Sequence, residues 1–253
     1  VSAAVSAAAN ARPAQPRLAP GMASSAGAHP PQWLGKRFDA EGRALPDGGA
    51  TVIGHVRAPA AVAALGAVHD GLAAAGLSRF WAWLPASSFH MTQFDLILHN
   101  RREPERWPEG LSPDLPAPEA DAAITDRLRG FETGEAFPFR MAVRGLYAAP
   151  GGLGVALEGE TPAEDARLRA MRDRIAARAG LAHRPGHADY PFHISLAYLT
   201  AWPETGALAA ETDAALDAAE AALIAALPVV EIGAPEVCVF DDMTAFRELF
   251  RLG

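Results

Sequence analysis

Residues 89–94 read FHMTQF, and residues 192–197 read FHISLA. Both stretches run Phe, His, apolar residue, hydroxyl residue, and a long piece of chain separates them. On a strand, side chains i and i+2 share a face while i+1 takes the other. His90 and Thr92 therefore project together, as do His193 and Ser195. Met91, Ile194 and Leu196 fall on the opposite face, where they can anchor each strand in a core. One H-x-[ST] is expected by chance in a chain with 8 His. Two of them, each with a preceding Phe and an apolar centre on a strand-like segment, form a much more specific signal. The pair predicts a chain built twice on one plan, each half turning an imidazole and a hydroxyl into a shared space.

The segments around the two motifs agree with that plan. TVIGHV (51–56) reads as a strand, and Pro59 opens a helix that Gly76 stops. SRFWAWLP and SSFHMTQFDLIL read as strands on either side of the turn-like PASS. A Pro-rich, charged connection follows, then a helix over 118–130. FPFRMAVRGLYAAPGGLGVALEGE predicts two strands around Pro-Gly-Gly. TPAEDARLRAMRDRIAARAG predicts a helix with Thr161 as N-cap and Glu164 completing a capping box, closed by Gly180. FHISLAYL is a strand, 207–226 an Ala-rich helix, and PVVEIG and PEVCVFDD are strands. Short strands interleaved with helices give an α+β class. Residues 1–31, rich in Ala, Pro and Ser, read as a disordered or signal-derived leader, and 32–253 as a single bilobal domain.

Composition narrows the function classes. Half of the residues are hydrophobic and 21% are charged, which suits a globular protein with a sizeable core. The net charge of -8 argues against a broad surface for duplex nucleic acid. It leaves room for a small phosphate ester or the end of an RNA strand. No run approaches the roughly 18 apolar residues of a membrane span, so no membrane partner is expected. The single cysteine, Cys238, rules out an intramolecular disulfide and a Cys-based zinc cluster, and reads as a small buried hydrophobe. The expected location is cytoplasmic. Export is the alternative if residues 1–11 are the tail of a signal peptide, because small residues flank Asn10. Oligomeric state leaves no trace in the sequence.

Two imidazoles facing one cleft suit a reaction that needs one acid and one base near neutral pH. Hydrolysis of a cyclic phosphodiester is such a reaction. One His takes a proton from the attacking water and the other gives one to the departing ribose oxygen. Thr92 and Ser195 would hydrogen-bond the non-bridging oxygens, and the scheme requires no metal. Tyr190 stands where it could stack on a nucleobase, whereas Phe192 reads as core. HRPGHADYPFH holds His183, His187 and His193, but Pro185 and Gly186 make a helical metal-binding spacing unsuitable, and a loop bordering the cleft is the reading. His55 and His69 read as structural. His99, Arg101 and Arg102 read as a solvated basic loop, and EDARLRAMRDR as a solvated helix face with i,i+4 ion pairs.

FHMT and FHIS resemble the paired H-x-[ST]-x motifs of the 2H phosphoesterase superfamily, which includes 2'-5' RNA ligase-like proteins and cyclic phosphodiesterases. LGKRFD, LPASSFHMT, YPFHISLAYL and FDDM extend the likeness from about residue 34 to the C-terminus. Together they resemble a bacterial and fungal branch of that superfamily whose substrate is open. The resemblance implies two similar α+β lobes with antiparallel sheets flanking a central cleft. It implies His90 and His193 as catalytic pair, Thr92 and Ser195 on the phosphate, and no cofactor. Ser195 stands where Thr is commoner, keeping the hydroxyl and losing a methyl. The substrate it implies is a 2',3'-cyclic nucleotide, another small cyclic phosphodiester or an RNA end, by hydrolysis or in the ligation direction. The alternative is a non-catalytic nucleotide- or phosphate-binding module that uses the same cleft.

Overall fold

Strand β1 (Gly49–His55) is small and β-branched in composition and buried along nearly its whole length. Helix α1 (Pro59–Ala74) begins on Pro59, whose missing amide proton costs nothing in a first turn, and turns Ala61, Leu65, Val68 and Leu72 inward. Strands β2 (Trp81–Trp83) and β3 (His90–Leu98) follow, separated by a short 3-10 turn at Ala86–Ser88. The Pro-rich connection leads to α2 (Ala117–Leu128), and then β4 (Phe139–Ala148) and β5 (Gly152–Gly159) pair as a hairpin. Helix α3 (Pro162–Ala179) is capped by Thr161, whose side chain accepts the Glu164 amide at 3.2 Å, and Gly180 ends it at φ 73°. The Glu164 carboxylate turns elsewhere, to the Arg140 amide at 2.8 Å, and so ties α3 to β4. The chain closes with β6 (His193–Leu199), α4 (Gly206–Ala226), β7 (Val229–Ile232), β8 (Glu236–Phe240) and β9 (Arg247–Arg251). Strand β9 has no counterpart in the sequence reading. RELFR is charged and mostly exposed, and its strand character comes from pairing with β8 at the sheet edge.

The computed structural model describes Met22 and residues 29–148 and 150–253. The leader expected over residues 1–31 therefore lies outside the described residues, apart from Met22 and residues 29–31. Met22 is fully buried, and its amide donates to Asp213 at 2.8 Å.

Among the described residues the strands form one antiparallel sheet in the order β7-β4-β5-β6-β3-β1-β8-β9, with β2 also on β6. It consists of two four-stranded halves joined where Met91 stands opposite Ile194. The innermost strand of each half carries one motif. Each half also repeats a strand–helix–strand plan, β1–α1–β3 in one, with the short β2 inserted before β3, and β5–α3–β6 in the other. The expected α+β fold, two similar lobes with antiparallel sheets, is what the chain adopts. Met91, Ile194 and Val155 are fully buried, so the seam between the lobes is packed core.

One expectation fails on α3. Its Arg169–Asp165 and Arg167–Glu164 pairs make the solvated ion pairs read from EDARLRAMRDR. Arg172 does not, because only 3% of it is exposed. It reaches the backbone of β3, where its guanidinium donates to the carbonyl of Gln93.

Candidate active site

The antiparallel pairing of Met91 with Ile194 sets the site. One residue to either side, His90 falls across from Ser195 and Thr92 across from His193. Diagonal neighbours in such a pair lie about 7–8 Å apart, so two imidazoles placed this way can reach one phosphate. All four side chains line a single cavity of about 700 Å³, together with Tyr190. That is within the range of about 300–1,000 Å³ usual for small-molecule sites.

The two histidines are held alike. His90 Nδ1 is 2.7 Å from the carbonyl oxygen of Ser88, and His193 Nδ1 is 2.9 Å from that of Pro191, each two residues upstream. A carbonyl only accepts, so each Nδ1 carries the proton and each neutral ring keeps its lone pair on Nε2. The Phe246 ring stands edge-on over His90 at 4.2 Å. Burial pushes His90 down to about 4, and the positive charge that His55 and His193 can carry adds to the effect. His90 is therefore neutral at pH 7. His55 pairs with it across β1 and β3, their ring centroids 6.2 Å apart. Its Nδ1 is hydrogen-bonded to the buried Glu236. Burial raises that carboxyl, but the hydrogen bonds from His55 and Arg57 outweigh it and bring Glu236 to about 2.

Each motif hydroxyl has a tyrosine behind it. Tyr147 on β4 and Tyr190 line the same cavity as the motif hydroxyls, Tyr147 near Ser195 and Tyr190 near Thr92. Burial raises both phenols well above their ordinary value, so both keep their protons at neutral pH. When a phenol donates to the hydroxyl oxygen, the hydroxyl proton is left to point into the cleft, and the chain of two bonds strengthens both. Tyr147 reaches Ser195 by crossing Gly154, the β5 residue that pairs with both. A Cβ on Gly154 would lie 2.3 Å from the Tyr147 hydroxyl oxygen and 2.6 Å from the Ile194 carbonyl oxygen. Gly154→Ala should therefore displace Tyr147 and lower turnover roughly tenfold, about the value of one hydrogen bond. Tyr147→Phe should reproduce that loss with little change in melting temperature. Full activity in both variants would show that Ser195 needs no phenol behind it.

A bulge follows each motif. Gln93 is the extra residue between Thr92 and Phe94, and Leu196 between Ser195 and Ala197. A bulge shifts register by one and turns the following side chains to the other face. Asp95 and Tyr198, each three residues past its motif hydroxyl, consequently line the cavity instead of the core-facing side. The two motifs thus repeat in structure beyond the residues that repeat in sequence.

A family model named 2H-phosphodiest, described as "Domain of unknown function (DUF1868)", matches residues 37–151. The chain is also 34% identical to ATU0111 of Agrobacterium tumefaciens str. C58, a conserved protein of unknown function. The match covers 88% of this chain and 93% of that one, and the structures agree at a TM-score of 0.79. The chain belongs to the 2H phosphoesterase superfamily. A second solved structure, TT0787 of Thermus thermophilus, is 17% identical with a TM-score of 0.42, over 80% of this chain and 96% of that one. No curated protein matches.

In this member of the superfamily His183, His187, His99 and His69 stand apart from the motif pair, whereas His55 adjoins His90. His183 Nε2 is 3.2 Å from the Pro104 carbonyl oxygen, and His187 Nε2 is 2.7 Å from Asp173. His99 pairs with Asp121, and His69 stands edge-on to Trp83. The basic loop divides. Arg102 donates to the carbonyls of His99, Pro113 and Leu115, while Arg101 lines the cavity. Phe192 is buried, and Tyr190 stacks on His193 with centroids 6.2 Å apart and on the cationic Arg172 at 4.1 Å. Cys238 is buried and free, its thiol pushed up to about 12 by burial. Tyr147, Asp95 and Tyr198 escape a sequence reading because simple alternation does not show which strand lies beside the motif or where a bulge falls. No helix among the described residues is long and apolar enough to cross a membrane.

Proposed function

We propose that the protein hydrolyses a cyclic phosphodiester, of the 2',3'-cyclic nucleotide or RNA-end type, by paired-histidine acid–base catalysis. The observation that carries this reading is the matched pair of rings, each pinned through Nδ1 to a backbone carbonyl and each left with Nε2 for the cleft. His90, held neutral, acts as the base. Its Nε2 takes a proton from water as the water oxygen bonds to phosphorus. His193, in its protonated form, gives its Nε2 proton to the ribose oxygen as the P–O bond breaks. The product is a phosphomonoester with a free ribose hydroxyl, and the two rings exchange protons with solvent to reset. Thr92 and Ser195 donate to the non-bridging oxygens, with Tyr190 and Tyr147 fixing their direction.

The test is turnover of a panel of 2',3'-cyclic nucleotides and cyclic-phosphate-ended oligoribonucleotides with EDTA present. Phosphomonoester product is expected, at a rate unaffected by the chelator. Binding of the panel with no product would favour a nucleotide-binding module instead, and loss of activity on chelation would point to a metal-dependent hydrolase.

A further inference from the structure

The cavity extends beyond the two motifs to a strap formed by residues 32–47. The Gln32 amide donates to the Pro150 carbonyl at 3.2 Å, holding the strap to the β4–β5 turn. Arg37 then bridges the lobes: its Nε donates to Asp47 at 2.7 Å, ahead of β1, and its guanidinium to the Tyr198 hydroxyl on β6 at 3.0 Å. At the start of the strap Trp33 gathers cations. Arg37 lies 4.0 Å from its ring centroid, Arg101 5.2 Å and Lys36 6.0 Å. Among the described residues Asp47, already shared between Arg37 and Asn100, is the one carboxylate that answers them. Among the described residues no carboxylate forms an ion pair with Arg101 or Lys36.

This charge arrangement runs against that of the whole chain, which has 30 acidic and 22 basic residues. Among the described residues four arginines and one carboxylate, Asp95, line the cavity. Arg184 is committed to the backbone carbonyls of Asp95, Leu96 and Arg106, and Arg37 to Asp47 and Tyr198. Among the described residues neither Arg101 nor Arg106 has such a commitment, and of the two Arg101 is the one braced on an aromatic ring. It is half-buried, its guanidinium rests against an indole, and its N–H donors are free to meet a ligand. A planar guanidinium braced on an aromatic ring suits bidentate binding of a phosphate. Of the three cations drawn around this indole, Arg101 and Lys36 lack a counter-charge among the described residues, and an anionic group of the ligand would supply it.

We propose that Arg101, braced by Trp33 and reinforced by Arg37, is a second anion subsite, and that the substrate carries a further phosphate beyond the cyclic one. This rests on the reading of His90 and His193 as the reacting site, and it narrows the substrate within that reading. For a nucleoside with a cyclic phosphate on its ribose, the further phosphate is on the 5' side. A 5'-phosphorylated mononucleotide and the penultimate linkage of an RNA end share this chemistry.

The experiment uses the full chain as wild type, Arg101→Ala and Arg101→Lys, with melting temperatures confirming that each is folded. Calorimetry compares adenosine 2'-monophosphate with adenosine 2',5'-bisphosphate, ligands that need no turnover. Steady-state rates compare adenosine 2',3'-cyclic phosphate with its 5'-phosphorylated form and with a dinucleotide ending in a cyclic phosphate. In wild type the second phosphate should tighten Kd and lower KM tenfold or more. In Arg101→Ala that ratio should fall close to one, and in Arg101→Lys to an intermediate value, because a point charge remains without the planar fork. A gain with the 5'-phosphorylated mononucleotide alone identifies free nucleotides, and a gain with the dinucleotide alone identifies RNA ends. Equal binding of the two adenosine phosphates by wild type, or an undiminished ratio in Arg101→Ala, overturns the subsite. If no cyclic phosphate is turned over, the acid–base reading fails, while the calorimetric ratio still decides the subsite.

Discussion

Replacing either His90 or His193 with alanine is expected to lower kcat/KM for a 2',3'-cyclic phosphate by roughly 10²–10⁴-fold, the usual share of one positioned acid or base. The fold should survive, because both rings lie on the cleft side while Met91 and Ile194 hold the seam from the other face. The double variant should lose little more than the worse single one. Acid and base act in the same step, and removing one leaves the other without its partner reaction. Either single variant keeping turnover within tenfold of wild type would end the paired-histidine reading.

The pH dependence follows from the environment of His90. Its ring has a pKa of about 4 in the folded protein against an ordinary 6.5. Between those values the unfolded chain binds the proton and the native protein does not, so stability rises with pH through this window. Acidification from neutral pH to below 4 should thus cost at most about 3 kcal/mol through this one group. Activity also falls on acidification, because a general base works only when deprotonated. A base with so low a pKa is weak at pH 7, but the negative charge of a bound phosphodiester beside it favours the imidazolium and strengthens it as a base in the complex. The acid limb of kcat should therefore lie above that of kcat/KM.

The parts of this site that local alternation dictates are visible in the sequence. His90, Thr92, His193 and Ser195 share faces because two-residue spacing on a strand is a property of the segment itself. The matched pair also carries the fold, since one motif per lobe implies a lobe built twice. What lies beyond depends on neighbours distant in the chain. Tyr147 matters because β4 lies two strands from β6 and Gly154 leaves the path open. Arg101 sits in a loop whose composition suits solvent, and only the strap carrying Trp33 makes it part of the cavity. Asp95 and Tyr198 sit at an odd spacing from the motifs and would face the core on an unbroken strand, so their placement depends on two bulges. Capping and turn residues, by contrast, act within a few positions, and Thr161 and Gly180 bound α3 as local chemistry requires.

Arg172→Leu is expected to destabilise the protein by about 2–4 kcal/mol, from the loss of a donor to a buried carbonyl and of cation–π contact. The bulge in β3 takes the Gln93 carbonyl out of the ladder, and the Arg172 guanidinium pairs it instead. The same group lies 4.1 Å from the Tyr190 ring centroid, 5.4 Å from that of Phe94 and 5.5 Å from that of Phe192. Burial lowers its pKa from the ordinary arginine value, which is the cost of keeping a cation there, and leucine would relieve that cost. The relief is smaller than the loss, because leucine leaves the carbonyl dry and unpaired. In a chain of this size the change corresponds to a fall in melting temperature of roughly 5–15 °C. Turnover should fall as well, since the bulge aims Thr92 and the stacked guanidinium holds Tyr190 against it. A melting temperature within a degree of wild type would mean that water or a backbone shift satisfies Gln93, and that Arg172 does not brace the first motif.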